Sequence, residues 1–357
     1  MISYIFWNIK KEIFVIPFLN IPIVWYSLFF LTGFIIGYYN FKSLLKRYFS
    51  LFPKIDQKDI VDHDALLTQL IMPKNSVQKE IASLVDEKIN ANSAIKDTLF
   101  SINNFIANKI QLRLFFENGF EKCILTFKKK ADLITDKLLV YMMIATVIGA
   151  RLGHVFLYED QVFYLKHPLE ILKVWQGGLA SHGAAFAIII AMVLFSRHLT
   201  KYSPKISFIK LMDFIAVPIA LAGFFIRIGN FFNQEILGKP TSFFTAIIFS
   251  NPQDSFGVVP RHPVQLYEAV FYLFVFVFLF LLSYKNWFLK KEGFSIGLFL
   301  ILVFSFRFFI EFLKVKQSYI LSDNSILLMG QYLSIPFVLI GIAFLFSKKI
   351  KSYLKAS

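Results

Sequence analysis

The sequence predicts an all-α, polytopic membrane protein with seven transmembrane helices, the N-terminus outside, the C-terminus cytoplasmic, and a helical cytoplasmic insertion between helices 1 and 2. Three observations carry that reading. Seven apolar runs each reach the roughly 17–25 residues needed to cross a bilayer. The chain of 357 residues is 57% hydrophobic, has a mean hydropathy of +0.61 and contains 45 Phe, which is more apolar than a soluble domain of this length. Its formal charge of +15 gathers at the ends of the apolar runs, a pattern that suits lipid topology better than a nucleic-acid-binding face. One cysteine, Cys123, excludes an internal disulfide and a multi-cysteine metal site.

The spans follow in order. Near the N-terminus, Lys10 and Lys11 precede an apolar stretch broken by Pro17, Asn20 and Pro22, with no small-residue cleavage pattern. The first span is placed at Ile21–Tyr39, opening with Trp25 and Tyr26. The second is Leu138–Tyr158, the third Gly178–Phe195 and the fourth Phe208–Ile228. Leu266–Tyr284, Phe294–Phe312 and Ile326–Phe346 complete the seven. Lys and Arg concentrate after the first span (Lys42, Lys46, Arg47), between the third and fourth (Arg197, Lys201, Lys205, Lys210), after the fifth (Lys285, Lys290, Lys291) and in the tail. The positive-inside rule then puts the N-terminus outside and the C-terminus in the cytoplasm.

Residues 49–136 are different: rich in Lys, Asp, Glu, Asn and Gln, with Ile81, Leu84, Val85 and Ile89 at helical spacing. They read as a helical cytoplasmic insertion, a solvated connector rather than a centre of chemistry. The chain accordingly divides into 1–48 (N-terminal segment and first helix), 49–136 (insertion) and 137–357 (membrane core). Cys123 falls in the insertion, with no local His or Arg to activate it.

With that topology, the unusual polar residues meet at one level. Trp25 and Tyr26 start the first span; Arg151, His154 and Tyr158 end the second; Ser181 and His182 start the third. Arg227, Asn230, Asn233 and Glu235 end the fourth; Arg261, His262, Gln265, Tyr267 and Glu268 open the fifth; Arg307 and Glu311 lie towards the end of the sixth. All fall in the outer half of the membrane, with Asp213 the main exception. A polar cavity open to the outer leaflet, lined by several Arg, suits an anion, and a phospholipid headgroup is the anion at that depth.

Each residue has a plainer reading too. Arg227 and Asn230 share a helix face, and Arg227 either grips an anion or forms an Arg–Glu pair at a helix end. Arg307 and Glu311, four apart, bind a ligand or pair with each other. His182, flanked by Ser181 and Gly183, either accepts a proton from an incoming nucleophile or packs between helices. His262 is a second acid/base or a structural hydrogen-bonding residue. His63, His167 and His198 read as loop or interface residues, and no pair has zinc-ligand spacing in a supporting context. No phosphate-cradling loop and no nucleophile elbow are found, so an enzymatic nucleophile must arrive with a substrate. A transporter with an outer cavity and a purely structural membrane protein are the rival classes.

Five segments carry a family resemblance. They are Gly149-Ala-Arg151-Leu-Gly153, Trp175-Gln-Gly177-Gly178-Leu-Ala-Ser181-His182-Gly183, and the long stretch from Gly223 through Arg227, Gly229, Asn230, Asn233 and Glu235 to Gly238. Arg261-His262-Pro263-Val-Gln265-Leu-Tyr267-Glu268 and Phe306-Arg307-Phe-Phe-Ile-Glu311-Phe complete the set. In this order they resemble the bacterial prolipoprotein diacylglyceryl transferases. The resemblance implies a multi-pass protein of the bacterial inner (plasma) membrane with its active site facing the outer leaflet and periplasm. It implies transfer of the diacylglyceryl group of phosphatidylglycerol to the lipobox cysteine of a prolipoprotein, giving a thioether and glycerol 1-phosphate, the first step of lipoprotein maturation. The partners so implied are phosphatidylglycerol, the prolipoprotein signal peptide and the bilayer; no metal or organic cofactor is implied. By motif, His182, Arg227 and Arg307 are the catalytic candidates, with Arg227 also in the substrate site. Asn230, Glu235, Gly238, Tyr26, Arg151, His262 and Glu311 are the further substrate-binding candidates. The insertion is longer than the family loop, His154 stands where many members carry Tyr, and Ala184-Ala185 replaces a more glycine-rich run.

Overall fold

The computed structural model describes residues 4–17, 21–52, 72–74, 76, 79, 127–157, 164, 166–172, 180–199, 206–252, 256–316 and 326–356. Most of the insertion expected at 49–136, with His63 and Cys123, lies outside these residues, as do Tyr158 and the stretch 173–179. In chain order the elements are β1 (Ile5–Trp7), β2 (Glu12–Ile16), β3 (Ile21–Val24), α1 (Trp25–Ser50), α2 (Phe127–Leu157), a 3-10 turn (Pro168–Leu172), α3 (Ser181–Leu199) and α4 (Phe208–Phe232). They continue as β4 (Ile247–Phe249), β5 (Pro260–Arg261), α5 (Val264–Leu282), α6 (Asn286–Lys290), α7 (Phe294–Ile310), a 3-10 turn (Glu311–Leu313) and α8 (Met329–Ala356).

Six of the described helices are long and apolar enough to cross a membrane: α1, α2, α4, α5, α7 with its 3-10 turn, and α8 as far as Phe346. In α3, the stretch Gly183–Leu199 is a shorter apolar helix. The chain is mostly helical and fits a polytopic membrane protein. The all-α expectation needs one correction, because among the described residues five short strands form two small sheets. In the first sheet β1 runs parallel to β4, with Ile5 opposite Ile247, and β4 pairs antiparallel with β5. β2 and β3 form an antiparallel ribbon. The start of the first span at Ile21 is corrected too. Ile21–Val24 is strand, since β-branched Ile and Val favour extended backbone and Pro22, lacking an N–H, suits a strand edge.

The molecule forms two compact units, one of Met1–Leu45 with Phe208–Ser357 and one of Lys46–Ser207. In the first, α4 is the central helix. Gly33 of α1 faces the Phe225 side chain of α4, and Gly223 of α4 faces the Tyr272 ring of α5, where a Cβ would come within 3.0 and 2.9 Å. Above the C-terminal end of α4, Trp7 of β1 lies 4.4 Å from the Phe231 ring and 5.3 Å from Phe232. Phe249, Ile247 and Leu237 close this apolar plug, which seats the β1–β4–β5 sheet on the helix end. At the opposite end of α4, Asp213 accepts hydrogen bonds from Gly293 N (2.8 Å) and Ile296 N (3.0 Å). Asp213 thus satisfies the open amides at the start of α7, and Lys210 at 3.5 Å balances its charge. The outlying polar residue of the sequence is a helix cap supplied from a neighbouring helix.

In the second unit α2 starts at Phe127, eleven residues before the sequence-predicted span, because Ala131, Ile134 and Leu138 give its polar first turns one buried face. Lys46 and Asp132 meet there at 3.0 Å, and Lys130 lies over the Phe49 ring at 5.0 Å. Further along, α2 and α3 touch backbone to backbone. A Cβ on Gly183 would strike Gly149 O and would lie 2.5 Å from Gly153 Cα. Neither helix can retreat without opening the pair, so Gly183→Ala is expected to cost about 1–3 kcal/mol of stability, read as a lowered melting temperature of the detergent-solubilised protein against an Ala185→Ser control.

Candidate active site

The site grows from the way α4 ends. Its last turn closes with Gln234 N–H donating to Phe231 O (3.1 Å) and Glu235 N–H donating to Asn230 O (3.1 Å). These are the paired bonds of a Schellman stop, whose reversal residue needs a left-handed backbone. Glycine usually fills that position; here it is Gln234, with φ of 55°. The strain is offset by the side chain, which is only 2% exposed. Its Oε1 accepts from Asn251 N (2.8 Å), and its Nε2 donates to Ser250 Oγ (3.3 Å) and Ile9 O (3.4 Å).

The reversal folds Glu235 back beside α4. Asn230 Nδ2 donates to Glu235 Oε1 (2.6 Å), Asn233 Nδ2 approaches the same oxygen (3.5 Å), and Gln265 Nε2 of α5 donates to the Glu235 carbonyl (2.7 Å). Asn230 Oδ1 accepts from Arg227 Nη1 at 3.0 Å, so the shared helix face expected of Arg227 and Asn230 is real. Arg227 also meets a carboxylate, but from α5: its Nε lies 3.0 Å from Glu268 Oε2. That contact is an ion pair by distance and is not aligned as a hydrogen bond. Glu268 is fully buried, and its other oxygen accepts from Lys314 Nζ (2.9 Å) and faces the Tyr272 hydroxyl (3.5 Å). Tyr272 touches Arg227 as well and lies within the electrostatic reach of Arg307.

Beyond Glu235 the chain is gripped on both sides. Lys239 N–H donates to Leu313 O (2.7 Å) and Val315 N–H to Leu237 O (3.1 Å), while His262 N–H donates to Lys239 O (3.1 Å). Between these bonds sits Gly238, where a Cβ would run into the His262 carbonyl oxygen. His262 is partly buried; burial holds its imidazole below the ordinary pKa, and its Nδ1 lies 3.5 Å from the Tyr267 hydroxyl. On the other side of α4, Gly229 lets Tyr26 lie flat, a Cβ there falling 2.7 Å from Tyr26 Cδ2. The Tyr26 hydroxyl feels both Glu235 and Arg227.

Tyr26, Arg227, Asn230, Glu235, Gly238 and His262 therefore come together, with Glu311 joined through Lys314. Glu311 does not pair with Arg307. Its Oε2 faces Lys314 Nζ at 3.5 Å and its carboxylate rests on Gly330, at the first turn of α8, where a Cβ has no room. Arg307 is partly exposed, and among the described residues its guanidinium makes no hydrogen bond or ion pair. Arg151 and His182 belong to the other unit. Arg151 is buried in α2 and donates to two carbonyls of the 3-10 turn, Ile171 O (2.9 Å) and Glu170 O (2.7 Å), while His182 is the second residue of α3. Arg261 is fully buried and donates to Gly257 O (2.7 Å).

Sequence reasoning left one member of the network without a role and missed another. Glu268 was visible only as one polar residue at a helix start, and Lys314 was not singled out. Its position three residues after Glu311 was the available signal. Chemically, Arg227 is held at its Nε and one Nη, leaving part of its fork open, and Arg307 is entirely open among the described residues. Two guanidinium groups within electrostatic reach of one tyrosine can hold a phosphate or carboxylate.

The chain resembles known proteins along most of its length. The model of the family described as prolipoprotein diacylglyceryl transferase matches residues 114–347. A relative from Protochlamydia amoebophila (strain UWE25), named phosphatidylglycerol–prolipoprotein diacylglyceryl transferase, is 38% identical over 360 residues, covering 98% of this chain and 96% of the relative. A protein of the same name from Tolumonas auensis is 47% identical over 207 residues, 58% of this chain and 76% of its own. Another, from Chlamydia caviae, is 44% identical over 218 residues, 60% of this chain and 73% of its own.

The helix stop yields a test of its own. Gln234→Ala keeps the left-handed demand and removes the side-chain bonds, so it should destabilise by about 1–3 kcal/mol. Gln234→Gly relieves the backbone and should lose less, as compared by chemical or thermal unfolding of the two variants.

Proposed function

The chain belongs to the prolipoprotein diacylglyceryl transferase family and is a transferase, and on that premise we propose that it transfers the diacylglyceryl group of phosphatidylglycerol to the lipobox cysteine thiol of a prolipoprotein. The observation that carries this reading is the pair Arg227 and Arg307, both within electrostatic reach of Tyr272 and with guanidinium donors still open among the described residues. A phosphatidylglycerol phosphodiester is a monoanion at the depth where such a pair would sit, and guanidinium forks match its oxygens.

In the proposed reaction the substrate thiol loses its proton and its sulfur attacks the lipid glyceryl carbon that bears the phosphate. A carbon–sulfur bond forms and the carbon–oxygen bond to phosphate breaks. The bonding pair stays on oxygen, and glycerol 1-phosphate departs. Charge grows on the phosphate during this step, so Arg227 and Arg307 would stabilise the transition state more than the bound lipid. Asn230 fixes one Nη of Arg227, and Glu235 fixes Asn230. Gly238 and Tyr26 shape the wall around the headgroup, and Glu311 and His262 border it. His182, by its motif, takes the thiol proton; Arg151 holds the turn after α2 in the neighbouring unit.

The same reading extends to placement. The chain crosses the bacterial inner membrane seven times, with α3 as the third span, the N-terminus outside and the C-terminus in the cytoplasm. Its segments are 1–48, the cytoplasmic insertion 49–136 and the membrane core 137–357, with the active site open to the outer leaflet. Cysteines introduced singly at Ser242 and at Lys290 test the topology in intact cells: a membrane-impermeant maleimide is expected to label the first and spare the second.

The reaction is tested by following labelled phosphatidylglycerol onto a lipobox-cysteine peptide with purified protein. Thioether product is expected from the wild type. Arg227→Ala and Arg307→Ala, checked to be folded, are expected to lose roughly a hundredfold or more in kcat. Absence of product from folded wild type across several lipid compositions would end the transferase reading of this site.

A further inference from the structure

Glu268 is a carboxylate with no solvent exposure, set between two cations from different parts of the chain. Arg227 reaches it from α4 and Lys314 from the segment after α7, at 3.0 and 2.9 Å, and Lys314 is itself 2% exposed. A single cation beside a buried carboxylate leaves the second oxygen without a charged partner and the group free to turn. Lys314 takes that second oxygen and leaves the one that faces Arg227 to Arg227 alone. Lys314 in turn is shared with Glu311, whose carboxylate rests on the start of α8. The chain of charges Arg227–Glu268–Lys314–Glu311 therefore links α4, α5, the end of α7 and α8. All of its members face inward.

The orientation matters more than the count. Glu268 lies on the Nε edge of Arg227 and Asn230 on one Nη. Contacts at two different nitrogens, with the Tyr272 hydroxyl also beside the group, restrict how the guanidinium can turn. Without that carboxylate, rotation about the last side-chain bonds would let the fork swing, and the catalytic gain from a prepaid geometry would be lost.

We infer that Glu268 and Lys314 are positioning residues of the transferase, Glu268 orienting the Arg227 guanidinium for the phosphate and Lys314 holding Glu268 in place through its other oxygen. Neither touches the lipid. This inference rests on the transferase reading above, and its test separates the two.

Full-length protein is assayed with phosphatidylglycerol in mixed micelles and a lipobox peptide, giving kcat and the KM for lipid, with thermal unfolding run in parallel. Glu268→Gln, nearly identical in shape, is expected to lower kcat roughly ten- to hundredfold while the KM for lipid changes less than about threefold, since the cations that attract the anion remain. Lys314→Met should reproduce that loss and Lys314→Arg should restore most of kcat. The double variant Glu268→Gln/Lys314→Met should lose no more than either single one, as members of one network do. A folded Glu268→Gln with wild-type kcat overturns the inference, as does a Lys314→Arg no better than Lys314→Met. Should Glu268→Gln fail to fold, Glu268→Asp decides: a fallen kcat at an unchanged melting temperature supports the positioning role, and wild-type kcat overturns it. An inactive wild type fails the transferase reading instead and takes this inference with it, whereas an active wild type with indifferent Glu268 variants leaves the reading standing and rejects the inference alone.

Discussion

A carboxylate sealed from water dictates much of the described structure in the larger unit. Glu268 has no exposure, and the positive groups that meet it must come from other parts of the chain, because its own α5 carries no cation. Arg227 at 3.0 Å and Lys314 at 2.9 Å meet the requirement. The consequence runs outward: the end of α4 must stand beside the start of α5, and the chain leaving α7 must return to the same place. Replacing one partner of such a buried pair typically costs several kcal/mol, so the arrangement is enforced rather than merely tolerated.

The glycines belong to the same logic. Gly223, Gly229, Gly238 and Gly330 each stand where a neighbour occupies the volume of a Cβ: the Tyr272 ring, the Tyr26 ring, the His262 backbone and the Glu311 carboxylate. These contacts bring tyrosines and charges within range of one another inside an apolar bundle. Gln234 shows the reverse solution. A side chain sits where glycine would be easier, and its hydrogen bonds to the N-terminal segment and the β4 strand end tie the helix stop to the sheet above it.

Much of this was legible in the residues. Hydrophobic run lengths located six long apolar helices to within a few residues at most ends, because hydrocarbon thickness leaves little freedom. The spacing of Arg227 and Asn230 announced their contact. What the sequence hid falls into two kinds. Strands β1 to β5 are two to five residues long, too short for alternation to register, and β1 finds its partner some 240 positions away. Lys314 looked like an ordinary basic residue at the end of an apolar run, since only the fold reveals that it points at Glu268. The apparent exception Asp213 was hidden for the same reason: a cap donated across 80 residues leaves no local signature.

The strip Leu237–Lys239 is hydrogen-bonded to Leu313 and Val315 on one side and to His262 on the other. A chain emerging from the ribosome has made Arg227 and its surroundings long before it has made Leu313. Until residue 315 has been delivered, one flank of that strip has no partner, and Glu268 has no lysine. Vectorial synthesis thus makes this strip one of the last parts of the unit to be finished. A product cut short within α7 keeps much of the same hydrophobic sequence yet leaves Lys239 N–H and Leu237 O without the partners that Leu313 and Val315 provide.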